Sequence, residues 1–255
     1  MIGVVLAGGS GTRLRPLTES TNKHLLDVAG RPMLSYGLEA VAAAGISEAV
    51  VVTGAEHQGS FRPILADAGR YGLDRIGLAA QSGPRGIADA LRCARAHAEG
   101  RELLVLLGDN LFGASLAGMV EAFRSGADPA LIALAEHEDL SSCGVARLDG
   151  ERVVEIVEKP SAGGAPPPTG WAVPGVYLYS EGAFEEIEAL RPSARGELEI
   201  TDLNNRYAAR GELGHVRLAG WWADAGTPGG LRRAADLVRA HGVNGSGPRA
   251  CGATP

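Results

Sequence analysis

At 255 residues, with 45% hydrophobic and 21% charged side chains, the chain has ordinary globular composition and can bury a substantial core. Its formal net charge of -6 argues against a nucleic-acid polymer as a bulk partner, and no apolar run is long enough to span a membrane. Cys93, Cys143 and Cys251 are widely spaced with no Cys-x-x-Cys pair, and the N-terminus opens in a strand-like run rather than a signal peptide; a reducing, cytoplasmic setting is expected, with neither a zinc site nor a disulfide framework.

The first element is the apolar run Ile2–Leu6, which ends in Ala7-Gly8-Gly9-Ser10-Gly11-Thr12-Arg13. A buried strand feeding a loop that is nearly all backbone leaves N–H groups uncovered, so a polyanion can approach and collect hydrogen bonds. Arg13, Arg15 and Lys23 add the formal charge that neutral amides lack. A phosphate grip is expected. It is not a Walker A loop, because no lysine follows Gly11 at the required place. Nor is it a dinucleotide fingerprint, because Leu14 stands where a third glycine or alanine is needed and Pro16 interrupts any helix starting at Thr12.

Further along, Ala49–Thr53, Ile76–Gln81, Leu103–Leu107 and Leu131–Ala135 read as buried strands. Between them Leu34–Ala44, Ile87–Ala98 and Leu116–Phe123 read as helices, with Ile87, Leu91 and Ala94 on one face. This alternation predicts an α/β fold: a doubly wound, mostly parallel, Rossmann-like sheet with ligands beyond the carboxyl ends of its strands. Asp109 follows one of those strands and is itself followed by an amide, Asn110. That suits a magnesium ion shared with phosphate oxygens, although an Asp after a strand also serves simply as a turn or cap. In the second half, Gly144–Leu148 and Arg152–Val157 flank Asp149-Gly150 as a hairpin; Val176–Tyr179 reads as a strand, and Phe184–Leu190 and Ile200–Ala209 as helices. The run from Gly163 to Pro168 reads as a surface excursion. No linker or repeat is evident. One domain over 1–241 is expected, with a nucleotide-binding part at 1–135, an added layer at 136–228 for a sugar, and a flexible tail at 242–255.

The string from Leu6 to Thr18, then Asn22-Lys23-His24-Leu25-Leu26-Asp27-Val28 and Arg31-Pro32-Met33-Leu34, resembles the sugar-phosphate nucleotidylyltransferases. Within them it is most similar to the short glucose-1-phosphate thymidylyltransferases. The resemblance runs from Ile2 to about Thr227 and implies transfer of a nucleotidyl group from a nucleoside triphosphate, here dTTP, to a sugar-1-phosphate, here glucose-1-phosphate. It implies Mg2+ held by Asp109, in Leu107–Phe112, and Asp224, in Trp221–Pro228. It assigns Leu6, Gly8, Gly9, Gly11, Thr12, Arg13, Gln81, Pro84 and Gly86 to the nucleotide. Asn110, Gly144, Glu158, Lys159 and Val173 fall to the sugar, and Arg13, Lys23 and Lys159 to catalysis. Taken alone, Glu158-Lys159-Pro160 is only a solvated strand exit, and Gln81 only a polar strand end. Gln81 is expected to pair with a pyrimidine imide through both a donor and an acceptor. The string Gly196–Asp202 is expected to supply helix-start and pocket-wall groups.

The sequence departs from the pattern at Cys143, where the family often has tyrosine, at Asp89, where thymidylyltransferases have glutamine, and at Asp27, where they have proline. The same reaction with UTP or GTP and another sugar phosphate therefore stands as an alternative, as does a non-catalytic sugar-nucleotide-binding subunit. A homo-oligomer is compatible with all of these.

Overall fold

A computed structural model describes residues 1–9, 11–137, 139–160 and 170–247. The expected excursion between Gly163 and Pro168, and Cys251, lie outside the described residues. In chain order the elements are β1 (Ile2–Ala7), β2 (Asp27–Val28), β3 (Arg31–Pro32), α1 (Met33–Ala43), β4 (Glu48–Gly54), α2 (Gln58–Leu65) and β5 (Arg75–Gln81). Next come α3 (Ile87–Arg92), α4 (Arg95–Ala98), β6 (Leu103–Leu107), β7 (Asn110–Phe112), α5 (Ala117–Ser125) and β8 (Ala130–Leu134). The remainder holds β9 (Gly144–Asp149), β10 (Arg152–Glu158), β11 (Trp171–Val173), β12 (Val176–Tyr179), α6 (Ala183–Glu188), α7 (Ile200–Arg210), β13 (Leu213–Arg217), β14 (Trp222–Asp224) and α8 (Pro228–His241).

Seven strands form the central sheet in the order β13-β8-β12-β6-β1-β4-β5. All neighbours are parallel except β12, which runs against both β6 and β8. The near-continuous apolar runs follow from burial on both faces. Val4 and Leu6 pack with Leu91 and Ala94 on one side, while Val5 and Ala7 pack with Leu34, Leu38 and Val41 on the other. Each such buried valine or leucine contributes about 1.5–3 kcal/mol relative to exposure. The sheet is therefore a stiff platform, and β1, β5 and β6 all end at the same edge.

A small antiparallel sheet, β10-β9-β11, forms the added layer. It is joined to the large one where Ala135 bridges Ala172. β7 and β14 form a further pair that brings Asp224 opposite Asn110. No helix among the described residues is long and apolar enough to cross a membrane.

Four sequence expectations need correction. The single helix Ile87–Ala98 is two, α3 and α4, broken where Ala94 donates to the Leu91 carbonyl and His97 to that of Ala94, each three residues back. α2 was not expected, since Gly59 and Pro63 lower its helical signal. α8 was also missed, although Thr227 caps it by accepting from the Gly230 N–H at 3.0 Å and Pro228 stands at its start. The tail does not begin at Gly242. Val243 and Asn244 are buried, Asn244 donates to the Tyr36 carbonyl at 3.0 Å, and its N–H bonds the Phe112 carbonyl at 2.8 Å. Two backbone attachments and a buried valine are enough to order that turn.

Candidate active site

The loop after β1 carries its glycines where the backbone demands them. Gly9 and Gly11 have φ of 96° and 58°, in the left-handed region that side chains disfavour. A Cβ on Gly11 would lie 2.9 Å from the Thr18 methyl and 3.2 Å from the Lys23 Cβ, so the loop also lies tight against the next segment. Thr18 ties it down by donating to the Gly11 carbonyl at 2.8 Å. Only a single turn, Thr12–Leu14, follows, with Leu14 buried as its anchor and Thr12 and Arg13 exposed.

Asn22 clamps the segment beneath this loop. Its Oδ1 accepts from the His24 N–H at 2.9 Å and lies 2.8 Å from His24 Nδ1, while its Nδ2 reaches the Ala7 carbonyl at 3.3 Å. Burial, and then the Lys23 charge, push the His24 pKa down to about 3. The ring is therefore neutral, and Nδ1 carries the hydrogen donated to Asn22. Gly108 makes room for it, since a Cβ there would fall 2.8 Å from the imidazole. With both neighbours fixed, Lys23 is aimed at Asp109, and its Nζ lies 2.5 Å from Oδ2.

Asp109 and Asp224 come together as expected, and Gly226 shows how closely. A Cβ on that glycine would lie 2.9 Å from Asp224 Oδ1, 3.1 Å from Asp109 Oδ2 and 3.1 Å from an Arg13 guanidinium nitrogen. Two carboxylates and a guanidinium thus ring one small space. Burial tends to raise the Asp109 pKa, but the Lys23 ammonium and the Asn110 amide outweigh it and hold the carboxyl below its usual range. Asp224 is shifted the other way, by burial and then by the Asp109 charge, while the Gly226 N–H donates to it at 2.7 Å. A pair in which one acid raises the other's pKa favours a cation between them. No third His, Cys, Asp or Glu joins the two among the described residues. The donor set fits a hard, oxygen-seeking ion such as Mg2+ that takes its remaining ligands from phosphate and water.

On the small sheet, Glu158, Gly144 and Val173 lie side by side in register across β10, β9 and β11. A Cβ on Gly144 would lie 3.5 Å from Glu158 Oε2 and 3.8 Å from the Val173 Cβ, so its absence leaves a methyl-sized seat between them. Thr201, at the start of α7, donates to Glu158 Oε2 at 3.0 Å, and Lys159 Nζ lies 3.2 Å from Oε1. This row is tied to the acidic pair through Asn110. Its Nδ2 donates to Asp109 Oδ1 at 3.0 Å, and its Oδ1 accepts from the Gly175 N–H at 3.1 Å and from Trp222 Nε1 at 2.6 Å.

Gln81 ends β5 at the far side of the glycine loop. Its Nε2 donates to the Gly86 carbonyl at 3.0 Å and to Asp89 Oδ2 at 2.8 Å. Both amide hydrogens are therefore spent, and the expected donor to a base is absent. Only Oε1 remains, facing Gly8 at 3.4 Å from where a Cβ would stand. Gly86, with φ of 99°, rests directly on the Leu198 backbone, and Leu198 bonds Arg85 and Ala88 at 2.8 and 3.0 Å. Pro84 is exposed on the lip of this loop.

Residues 2–241 match the nucleotidyl transferase family. The chain belongs to that family. It is 39% identical over 244 residues to the low-salt glycan biosynthesis nucleotidyltransferase Agl11 of Haloferax volcanii, covering 93% of this chain but 66% of that protein, just under two thirds. A glucose-1-phosphate thymidylyltransferase of Actinoplanes is 40% identical over 94% of this chain and 78% of its own. A Bacillus anthracis structure, described as a candidate glucose-1-phosphate thymidylyltransferase in complex with a sucrose, superposes with a TM-score of 0.87 at 38% identity, covering 94% of this chain and 96% of that one.

Within this cleft, two of the expected residues also have partners inside the fold. Leu6 is a core residue whose carbonyl accepts from the Gly108 N–H at 2.9 Å. Asn110 keeps one amide hydrogen, and its main office is to knit three segments. Conversely, sequence reasoning passed over Asn22, Thr201 and Gly226. All three sit inside strings already singled out, Asn22 directly before Lys23.

Replacing Asn22 by Ala removes three hydrogen bonds at a buried position and leaves the His24 ring N–H without its acceptor. The expected loss is about 2 kcal/mol in urea unfolding with an unchanged m value. A loss below about 0.5 kcal/mol would show that the clamp is not what holds Lys23.

Proposed function

We propose that the chain transfers a nucleotidyl group from dTTP to glucose-1-phosphate, releasing pyrophosphate, in a reducing, cytoplasmic setting. The observation that carries this reading is the convergence of Asp109, Asp224 and Arg13 on the space beside Gly226, with Lys23 under the glycine loop. The named relatives supply the substrate pair, since thymidylyltransferases recur among them at 36–40% identity.

In this reading the first part, 1–135, holds the nucleotide and the layer at 136–228 the sugar. Backbone N–H groups of Gly8, Gly9 and Gly11, with Thr12 and Arg13, receive the triphosphate. Gln81 Oε1, over Gly8, meets the base beside Pro84 and Gly86. Glu158 accepts from sugar hydroxyls in the seat left by Gly144, walled by Val173, and the spare amide hydrogen of Asn110 faces the same sugar. Lys159, a compact point charge, takes the sugar phosphate. An oxygen of that phosphate attacks the α-phosphorus, the bond to the β-phosphate bridging oxygen breaks, and pyrophosphate leaves. The nucleophile is already an anion near neutral pH, so no general base is required. That accords with a site holding no Ser–His or Cys–His pair among the described residues. Mg2+ on Asp109 and Asp224 would offset the negative charge on the transferred phosphoryl group. The work of the chain is alignment of two polyanions and placement of positive charge by Arg13, Lys23 and Lys159. The full set of charged groups disfavours a purely binding role.

A pyrophosphate-release screen of glucose-1-phosphate and other sugar-1-phosphates against each nucleoside triphosphate tests this reading. dTTP should be used best and UTP next, because a methyl group is worth only about 1 kcal/mol. Highest turnover with ATP or GTP would overturn the base assignment, and no turnover with any pair would overturn the activity. Asp109→Asn and Asp224→Asn should each lower turnover a hundredfold or more, about 3 kcal/mol, while thermal midpoints stay within several degrees. Near-normal turnover in both would remove the acidic pair from the mechanism. Lys159→Ala should raise the KM for the sugar phosphate at least tenfold and leave calorimetric binding of the triphosphate near normal. Equal weakening of both ligands would contradict the division between the two parts.

A further inference from the structure

The amide of Gln81 is held in one orientation by its own neighbours in the fold. Asp89 is an accept-only group, unlike an amide at that place, which could turn either way. Asp89 is buried, and its two oxygens have separate partners. Oδ2 receives Gln81 Nε2 at 2.8 Å, and Oδ1 receives the Arg92 guanidinium at 2.5 Å, one helical turn on along α3. The second Gln81 hydrogen goes to the Gly86 carbonyl, which is also accept-only. Turning the amide over would set its oxygen against a carboxylate and a carbonyl at once. Burial makes that reversal costly, because each pairing would be lost with no water to replace it.

We propose that Asp89, backed by Arg92, is a positioning residue for nucleotide selection: it fixes Gln81 with only its oxygen toward the nucleotide, so the site takes bases whose ring nitrogen at the pairing edge carries a hydrogen. This rests on the proposed nucleotidyl transfer and on Gln81 meeting the base. Thymine and uracil present N3–H there, and guanine N1–H. Cytosine and adenine present a lone pair, which would face the Gln81 oxygen lone pairs. A site built around an acceptor rejects a ligand that lacks the matching donor more strongly than one that merely lacks a methyl group.

The test compares kcat/KM for dTTP, UTP, CTP and N3-methyl-UTP with glucose-1-phosphate in the wild-type protein, Asp89→Asn and the double variant Asp89→Asn/Arg92→Ala. In wild type, N3-methyl-UTP and CTP should each fall at least tenfold below UTP. In Asp89→Asn, Arg92 claims the oxygen of the new amide and turns its NH2 toward Gln81, so the fixed orientation is lost. The UTP-to-CTP ratio should drop about tenfold, mainly through the nucleotide KM, with the KM for glucose-1-phosphate unchanged. Removing Arg92 as well frees that oxygen to accept from Gln81, and the ratio should return to within about threefold of wild type. A uniform loss for all nucleotides with the ratio unchanged would make Asp89 a structural residue and overturn the proposal. Equal use of UTP and N3-methyl-UTP by the wild-type protein would overturn it without any variant. A wild-type preference for CTP or ATP would instead overturn the base reading itself, and no activity with any nucleotide the reaction. The failures are thus separable.

Discussion

Two carboxylates held near one point, largely out of water, repel each other, and the architecture around Asp109 and Asp224 is organised by that repulsion. Lys23 answers it from one side and Arg13 from another, while the Gly226 N–H adds a third partial positive charge. The response is uneven. Asp109 takes the direct ion pair and the Asn110 amide, so it is the acid held ionised; Asp224 has the weaker set and the raised pKa. Buried ion pairs of this kind return little net stability, because desolvation consumes most of the Coulomb gain. Their persistence here is better explained by what they prepare, an anionic socket surrounded by cations, which in the proposed reaction would hold a metal beside the phosphates.

Keeping that socket in shape falls to groups that never touch its centre. Asn22 and the neutral His24 fix the backbone on either side of Lys23, so a long flexible side chain arrives with little freedom left to lose. Asn110 knots the exit of β6 to the Gly175 N–H and to Trp222 on β14. Through Gly175, which follows β11, the knot also sets the small sheet, and with it the row Glu158–Gly144–Val173, relative to the acidic pair. The string Gly196–Asp202 bridges the other way, with Leu198 against Gly86 on the proposed nucleotide side and Thr201 against Glu158 on the proposed sugar side. One short segment thereby spans both halves of the cleft.

The strand–helix alternation was legible because both faces of the sheet are buried, which writes long apolar runs into β1, β4, β6 and β8. The signals that failed were those where local propensity and tertiary packing disagree. α8 begins Pro228-Gly229-Gly230, two poor helix formers, yet the Thr227 cap, and Ala234 buried against β14, carry it. Gly242–Gly247 looks disordered by composition, and burial of Val243 with the docking of Asn244 on Tyr36 and Phe112 and of Gly245 on Gly113 orders it. In the site, charged residues in distinctive strings could be named from sequence. How each polar group spends its hydrogen bonds could not. Gln81 was expected to offer a donor and an acceptor, and its neighbours Gly86 and Asp89, five and eight residues on, consume both hydrogens.

That distinction separates the site residues into two kinds. Gln81 and Asn110 are buried amides whose hydrogen-bonding capacity is largely used within the protein, so what remains is a single atom with a fixed direction. Such groups can discriminate, because a mismatched ligand leaves a polar atom unpaired in a dry place. Arg13 and Lys159 are the opposite. Both are exposed residues, Lys159 with about half its side chain in solvent, and the Arg13 guanidinium reaches in from there to the acidic pair. Exposed cations of this sort attract and neutralise, but they select poorly among anions that share a phosphate. In the proposed reaction, discrimination would therefore belong to the buried amides and to spaces such as the one over Gly144, while the exposed charges would bring the polyanions in. A change of nucleotide or sugar preference in this fold is accordingly more accessible through the partners of those amides than through the arginines and lysines.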